Sequence, residues 1–123
     1  MQKNQAETDQ LITQILLGIE NVKGQDIQVL DLRDIENTVC DYFIISSGTS
    51  NTHVNAIVNS IQKVVSKELK ESPWHIEGGD NAEWVLMDYV DVVVHVFQRH
   101  IREFYDIEGL WGDAKPMKIE TTN

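Results

Sequence analysis

Tyr42-Phe43-Ile44-Ile45-Ser46-Ser47-Gly48-Thr49-Ser50 decides how this chain folds. Its first four residues are an unbroken β-prone run, the pattern of a strand covered on both faces. Small residues follow, and Thr49 or Ser50 stands where a helix would take its N-cap. The next segment, 51–71, carries Val54, Ile57, Val58, Ile61, Val64, Val65 and Leu69. Steps of three and four make these one apolar stripe, and Pro73 bounds it. A buried strand, a tight turn and a long amphipathic helix together predict an α/β unit with a sheet at its centre. The helix has the length of a crossover, so strands at 42–45 and 74–77 are expected to run parallel.

Working outward, residues 6–23 place Leu11, Ile12, Ile15, Leu16, Ile19 and Val22 on one helical stripe, with Gly24 as a stop. Gln25 to Arg33 reads as a strand, and Trp74 to Glu77 as a short one. Gly78-Gly79-Asp80-Asn81 is a turn. Trp84–Met87 and Val92–Phe97 are apolar runs separated by Asp88-Tyr89-Val90-Asp91, which predicts a β-hairpin. A last helix is expected over 101–111, and the tail 115–123 is expected to fray. The reading is one domain spanning 1–123, α/β with α+β character: a mixed sheet of about five strands with helices mainly on one face.

Composition narrows function. Twenty acidic residues against ten basic ones give a formal net charge of -10. Phosphate neutralisation requires Lys and Arg, so nucleic acid is not the expected direct partner. A basic protein is, because an acidic surface attracts one. The single cysteine, Cys40, excludes an intramolecular disulfide and a C-x-x-C zinc site. No apolar run approaches the roughly 18 residues of a membrane span, and Met1–Gln10 is too polar for a signal peptide. The cytosol is the expected address.

Each candidate for chemistry has a plainer reading beside it. The Ser46–Ser50 turn could hold an anion at a helix start, but it lacks Gly-Lys-Ser/Thr and reads as a capped turn. Asp88 and Asp91 could hold a metal with Asp41, yet Asp is commonplace in hairpin turns. His95 lies inside an apolar strand on the side of Val93 and Phe97, which favours a core histidine over a ligand. Cys40 has no neighbouring cation in sequence to stabilise a thiolate and reads as a small buried residue. Trp84, Tyr89, Tyr105 and Trp111 divide between core and interface, and the sequence leaves that division open.

Three segments carry a family resemblance. The first is 41–50, Asp-Tyr-Phe-Ile-Ile-Ser-Ser-Gly-Thr-Ser. The second is Trp84 to Asp88, with Tyr89, followed by Asp91 to Phe97. The third runs from Arg102 through Glu108-Gly109-Leu110-Trp111 to Ala114. In this order they resemble the ribosomal silencing factors, the RsfS or Iojap family. The resemblance implies a nucleotidyltransferase-like fold, no cofactor and no catalysis. It implies docking on the large ribosomal subunit through ribosomal protein fourteen (uL14), which would block joining of the small subunit and repress translation when nutrients run short. It places much of that contact on the second segment, with Trp84, Asp88 and Tyr89; alternation along the strand adds Leu86 to the face of Trp84 and Asp88, and Glu77, Asp80 and Asp91 are candidates for a rim. The family commonly has glycine where this chain has Val90.

Two rival classes remain open at this level. Active nucleotidyltransferases resemble this fold but place an acidic pair soon after the Gly-Ser turn. Here no acid follows Gly48 until Glu68. The other rival is self-association of the free protein as a homodimer through an exposed sheet face.

Overall fold

The computed structural model describes residues 4–36, 38, 40–105 and 115–117. Helix α1 (Gln5–Asn21) begins at Asn4, whose side chain accepts a hydrogen bond from the Glu7 amide at 2.8 Å. Strand β1 (Gln25–Asp31) pairs antiparallel with β2 (Tyr42–Gly48). Helix α2 (Asn51–Leu69) starts at Ser50, whose hydroxyl accepts from the His53 amide at 3.1 Å. It closes at Lys70, a left-handed residue whose amide returns to the Ser66 carbonyl, so the stop comes three residues before Pro73. Then come β3 (His75–Glu77), β4 (Trp84–Asp88) and β5 (Val92–Gln98), the short helix α3 (Arg99–Tyr105) and β6 (Lys115–Met117).

The described strands form one six-stranded mixed sheet in the order β3-β4-β5-β2-β1-β6. Its single parallel pairing joins β2 to β5, from Tyr42↔Val92 to Gly48↔Gln98. The parallel partner of residues 42–45 is therefore not the 74–77 strand. That strand is β3, antiparallel to β4 at the sheet edge. Composition explains the exchange: Val92–Phe97 is apolar enough to be buried on both faces, whereas His75 and Glu77 are exposed and suit an edge. Of the tail expected to fray over 115–123, residues 115–117 instead supply β6, paired with β1, and 118–123 lie outside the described residues. Of the helix expected over 101–111, residues 106–111 lie outside the described residues, with Ile107, Leu110 and Trp111; so does the side chain of Tyr105.

The two long helices pack on one face. Leu11, Ile15 and Ile19 of α1 and Val54, Ile57, Ile61 and Val65 of α2 meet Val29, Tyr42, Ile44, Val85, Met87, Val94 and Val96 of the sheet. The opposite face carries a smaller core of Leu30, Leu32, Cys40, Phe43, Ile45, Val93 and Phe97. Ile101 of α3 and Ile35 cover part of it. Arg102 fastens α3 down by donating to the Ser47 hydroxyl at 2.8 Å and to the Asp26 carbonyl.

The helices meet closely because Gly18 has no side chain. A Cβ there would stand 2.8 Å from the Ile61 Cα, and the Ser60 hydroxyl donates to the Gly18 carbonyl at 2.7 Å. Ala is the better helix former by about 1 kcal/mol, but here it would push against backbone. Gly18→Ala is expected to destabilise the protein by about 1–3 kcal/mol in urea unfolding. Unchanged or raised stability would refute this account of the crossing.

Candidate functional site

On β4, side chains alternate between faces. Val85 and Met87 enter the helix-side core, and Trp84, Leu86 and Asp88 point the other way. Register brings further residues to the same outward face. Trp84 pairs with Phe97, Leu86 with His95 and Asp88 with Val93 on β5. Across the edge, Glu77 stands beside Leu86 and His75 beside Asp88.

Trp84 is held from two sides. Its ring stacks on Phe97 with centroids 4.8 Å apart, and its Nε1–H donates to His95 Nδ1 at 3.1 Å. His95 meets Phe43 at 4.7 Å with the rings nearly perpendicular. The indole is thus partly buried against its own sheet and partly offered to solvent. Leu86 and Asp88 are likewise half-buried. Glu77, Gly78, Trp84 and Leu86 line one surface pocket of about 320 Å³. Trp74, Asp88, Val90 and Val93 line another of about 370 Å³.

The structure moves two expected site residues elsewhere. Tyr89 does not extend the patch round the turn. It is 3% exposed and belongs to the helix-side core, because alternation carried one step past Asp88 turns it inward. Burial pushes its hydroxyl above the usual phenol range, and that hydroxyl has no hydrogen-bond partner. Asp91, expected on the rim, is only 6% exposed. Its carbonyl accepts from the Asp41 and Tyr42 amides and so ties the turn to β2. Glu77 and Asp80 are exposed. Sequence reasoning missed Trp74, which is 81% exposed. The available signal was a large aromatic directly after Pro73, outside every apolar stripe.

Other chemistry-bearing residues are in structural settings. Among the described residues no group of three or more His, Cys, Asp or Glu is placed to hold a metal ion. Burial pushes the Cys40 thiol up to about 12. The turn after β2 caps α2, and His53 joins it by accepting from the Thr49 amide at 2.9 Å and bonding the Val22 carbonyl at 2.8 Å.

The ribosomal silencing factor (during starvation) family model matches residues 5–123. The chain belongs to the ribosomal silencing factor family. It is 42% identical to the ribosomal silencing factor RsfS of Chromobacterium violaceum over 102 residues, 80% of each chain. It is 37% identical over 108 residues to mouse "Mitochondrial assembly of ribosomal large subunit protein 1", covering 85% of this chain and 45% of that one. A crystal structure of a Chromobacterium violaceum protein superposes with a TM-score of 0.79 at 34% identity, covering 92% of both chains. Membership supports a ribosome-associated silencing role and agrees with the mixed α/β fold.

The turn that follows the Trp84 strand places a valine in a left-handed backbone conformation. Val90 has φ +77°, and the Asp91 amide donates to the Tyr89 carbonyl at 3.1 Å, closing a γ-turn. The Asp88 carboxylate steadies it by accepting from the Val90 amide at 2.7 Å. A β-branched residue is strained there, by about 1–3 kcal/mol. Val90 is 48% exposed, so its side chain returns little burial. Val90→Gly is expected to stabilise the fold by about 1 kcal/mol after the added unfolded-state entropy is counted. A lowered melting temperature would contradict the strain assignment.

His95 gives this face a pH dependence of its own. Burial lowers its pKa from 6.5 to about 4. Above pH 6.5 the imidazole is neutral in both folded and unfolded chains. Between 6.5 and 4 the unfolded chain gains a proton that the folded one refuses, so stability falls as pH falls, by up to about 1.4 kcal/mol per unit. His95→Asn keeps an acceptor for Trp84 but does not titrate. Urea midpoints at pH 7 and pH 5 should differ less in the variant than in the parent. An identical difference would remove His95 from the explanation.

Proposed function

We propose that this protein docks on the large ribosomal subunit through the outward face of β4 and sterically blocks association with the small subunit, repressing translation under nutrient limitation. The observation that carries the reading is the row Trp84–Leu86–Asp88, which sits on a sheet face free of the two long helices in a chain of this family. Its partner is ribosomal protein uL14. The charge of -10 and the exposed Glu77 and Asp80 at the border suit a basic protein surface. The mouse relative's name, which concerns assembly of a large ribosomal subunit, agrees with the subunit chosen.

The mechanism requires no chemistry. Bound protein occupies space that the small subunit must enter, and affinity and abundance set the fraction silenced. The fixed indole favours this, since an anchor already held by Phe97 and His95 loses little freedom on docking. Neither a cofactor nor catalysis enters the account, and the site of action is the cytoplasm. The rival nucleotidyltransferase reading needs carboxylates near the start of α2, where residues 51–67 carry none.

Sedimentation with purified subunits tests this. The protein should co-migrate with large subunits and reduce subunit joining. Leu86→Arg places a cation where a basic partner is expected and should weaken binding by more than about tenfold, with little change in melting. The on-rate should also fall as salt rises from about 50 to 300 mM. Co-migration with small subunits alone, or full binding by Leu86→Arg, would defeat the proposal.

A further inference from the structure

The pocket lined by Trp74, Asp88, Val90 and Val93 combines three features that the docking row alone does not explain. Trp74 sits just before the edge strand β3, and its amide donates to the Asp88 carbonyl at 2.7 Å. The backbone is therefore fastened beside Asp88 while the indole is 81% exposed. An exposed indole that shares a pocket with a carboxylate and two valines offers a partner both an apolar and a charged contact. Asp88 brings a carboxylate to the same pocket. Its Oδ1 accepts from the Val90 amide at 2.7 Å, and among the described residues no Lys, Arg or His side chain bonds to it. Its cross-strand neighbour His75 is engaged with Glu77 at 2.7 Å. Val90 and Val93 supply aliphatic walls, and Val90 does so from a backbone conformation that a valine resists.

We infer that this pocket is a socket for one arginine side chain of the docking partner. The inference rests on the reading of this sheet face as the docking surface and names the chemistry of its second anchor. A guanidinium is planar and lightly hydrated, so it stacks on an indole face and donates to a carboxylate at the same time. Lysine can meet the charge but has no plane to stack. An aliphatic stem fits between the two valines. An anion is unsuited, since Asp88 lies in the pocket on a chain of net charge -10. Strain at Val90 has a use in this arrangement: glycine would relax the turn and remove a wall. Asp88 serves twice, with one oxygen holding the turn and the other facing the cation.

The test has a part that needs no ribosome. The indole N–H resonance of Trp74, assigned by its loss in Trp74→Phe, is followed while N-acetyl-arginine amide is titrated into the full chain. It should shift with arginine and not with the citrulline analogue, which keeps the shape and lacks the charge. Asp88→Asn, which keeps an acceptor for the Val90 amide, and Val90→Gly should each weaken the effect. No shift with arginine, or an equal shift with citrulline, overturns the socket. The second part measures affinity for purified large subunits. Trp74→Ala should weaken it about fivefold to tenfold, a common size for a cation–π contact, with melting unchanged. Wild-type affinity in Trp74→Ala overturns the socket and leaves the Trp84 face standing. An arginine-dependent shift in a protein that fails to bind large subunits supports the socket and sinks the ribosomal reading. A dimer of the free protein that Trp74→Ala abolishes would make a second copy the occupant and overturn the inference.

Discussion

The parallel pairing of β2 with β5 is the constraint on which the rest of this structure depends. Seven consecutive residue pairs run from Tyr42↔Val92 to Gly48↔Gln98 at the middle of the sheet. Every residue of β2 is buried, as are the first six of β5. Strands buried on both sides need apolar cover on both sides, and parallel strands cannot be joined by a tight turn. The connection contains α2, and α2 with α1 covers one face. The other face must be covered by what remains: Leu30 of β1, Leu32 and Ile35 in the chain after it, Ile101 of α3, and the outward residues of β4. The second cover is thinner than the first, and Trp84, Leu86 and Asp88 lie where it ends.

That asymmetry gives Trp84 two duties. Toward the sheet it shields Phe97 and supplies the hydrogen bond to His95 Nδ1. Toward solvent it presents an indole edge that a partner can bury. The bond from Trp84 fixes the His95 tautomer with its proton on Nε2, an atom that is buried without a partner. Burial disfavours the imidazolium and lowers the pKa to about 4, so the histidine beneath the anchor is neutral near pH 7. A polar group left half-satisfied beneath an anchor costs stability. It also ties the pose of the anchor to the strand below it, so the face is set before any partner arrives.

The sequence was most legible where one periodicity acted alone. The apolar run at 42–45, the stripe from Val54 to Leu69 and the run Val92–Phe97 each had one consistent reading, and β2, α2 and β5 form there. Pairing was harder, because a strand's composition reports burial and not its neighbour. The length of α2 as a crossover points to residues 74–77 as the parallel partner, but Val92–Phe97 occupies that slot because it is buried on both faces. The outward placement of Trp84, Leu86 and Asp88 follows from alternation on β4. The same rule, applied one residue further, turns Tyr89 inward, but a turn position between two aspartates suggested exposure. Asp91 is buried through its carbonyl bonds to β2, a backbone demand that side-chain type does not announce. Trp74 belongs to no stripe, and only the structure shows it exposed beside Asp88.

The hairpin turn shows how fold and site constrain each other. Residues 88–91 must reverse the chain between β4 and β5 while keeping Asp88 out, Tyr89 in and Asp91 against β2. Four residues with those placements leave Val90 as the one position free to absorb the reversal, and it does so at φ +77°. Asp88 makes the strained turn tolerable by accepting the Val90 amide, and that bond also fixes the direction of its carboxylate. A residue chosen only to end the hairpin could be Asn or Ser, which also cap a turn without charge. A carboxylate strengthens the bond to the Val90 amide over a neutral acceptor. Only one of its oxygens is needed for the turn, so the same charge also serves the surface, where Asp88 shares a pocket with the exposed Trp74 and with Val90 on the face that the long helices leave open.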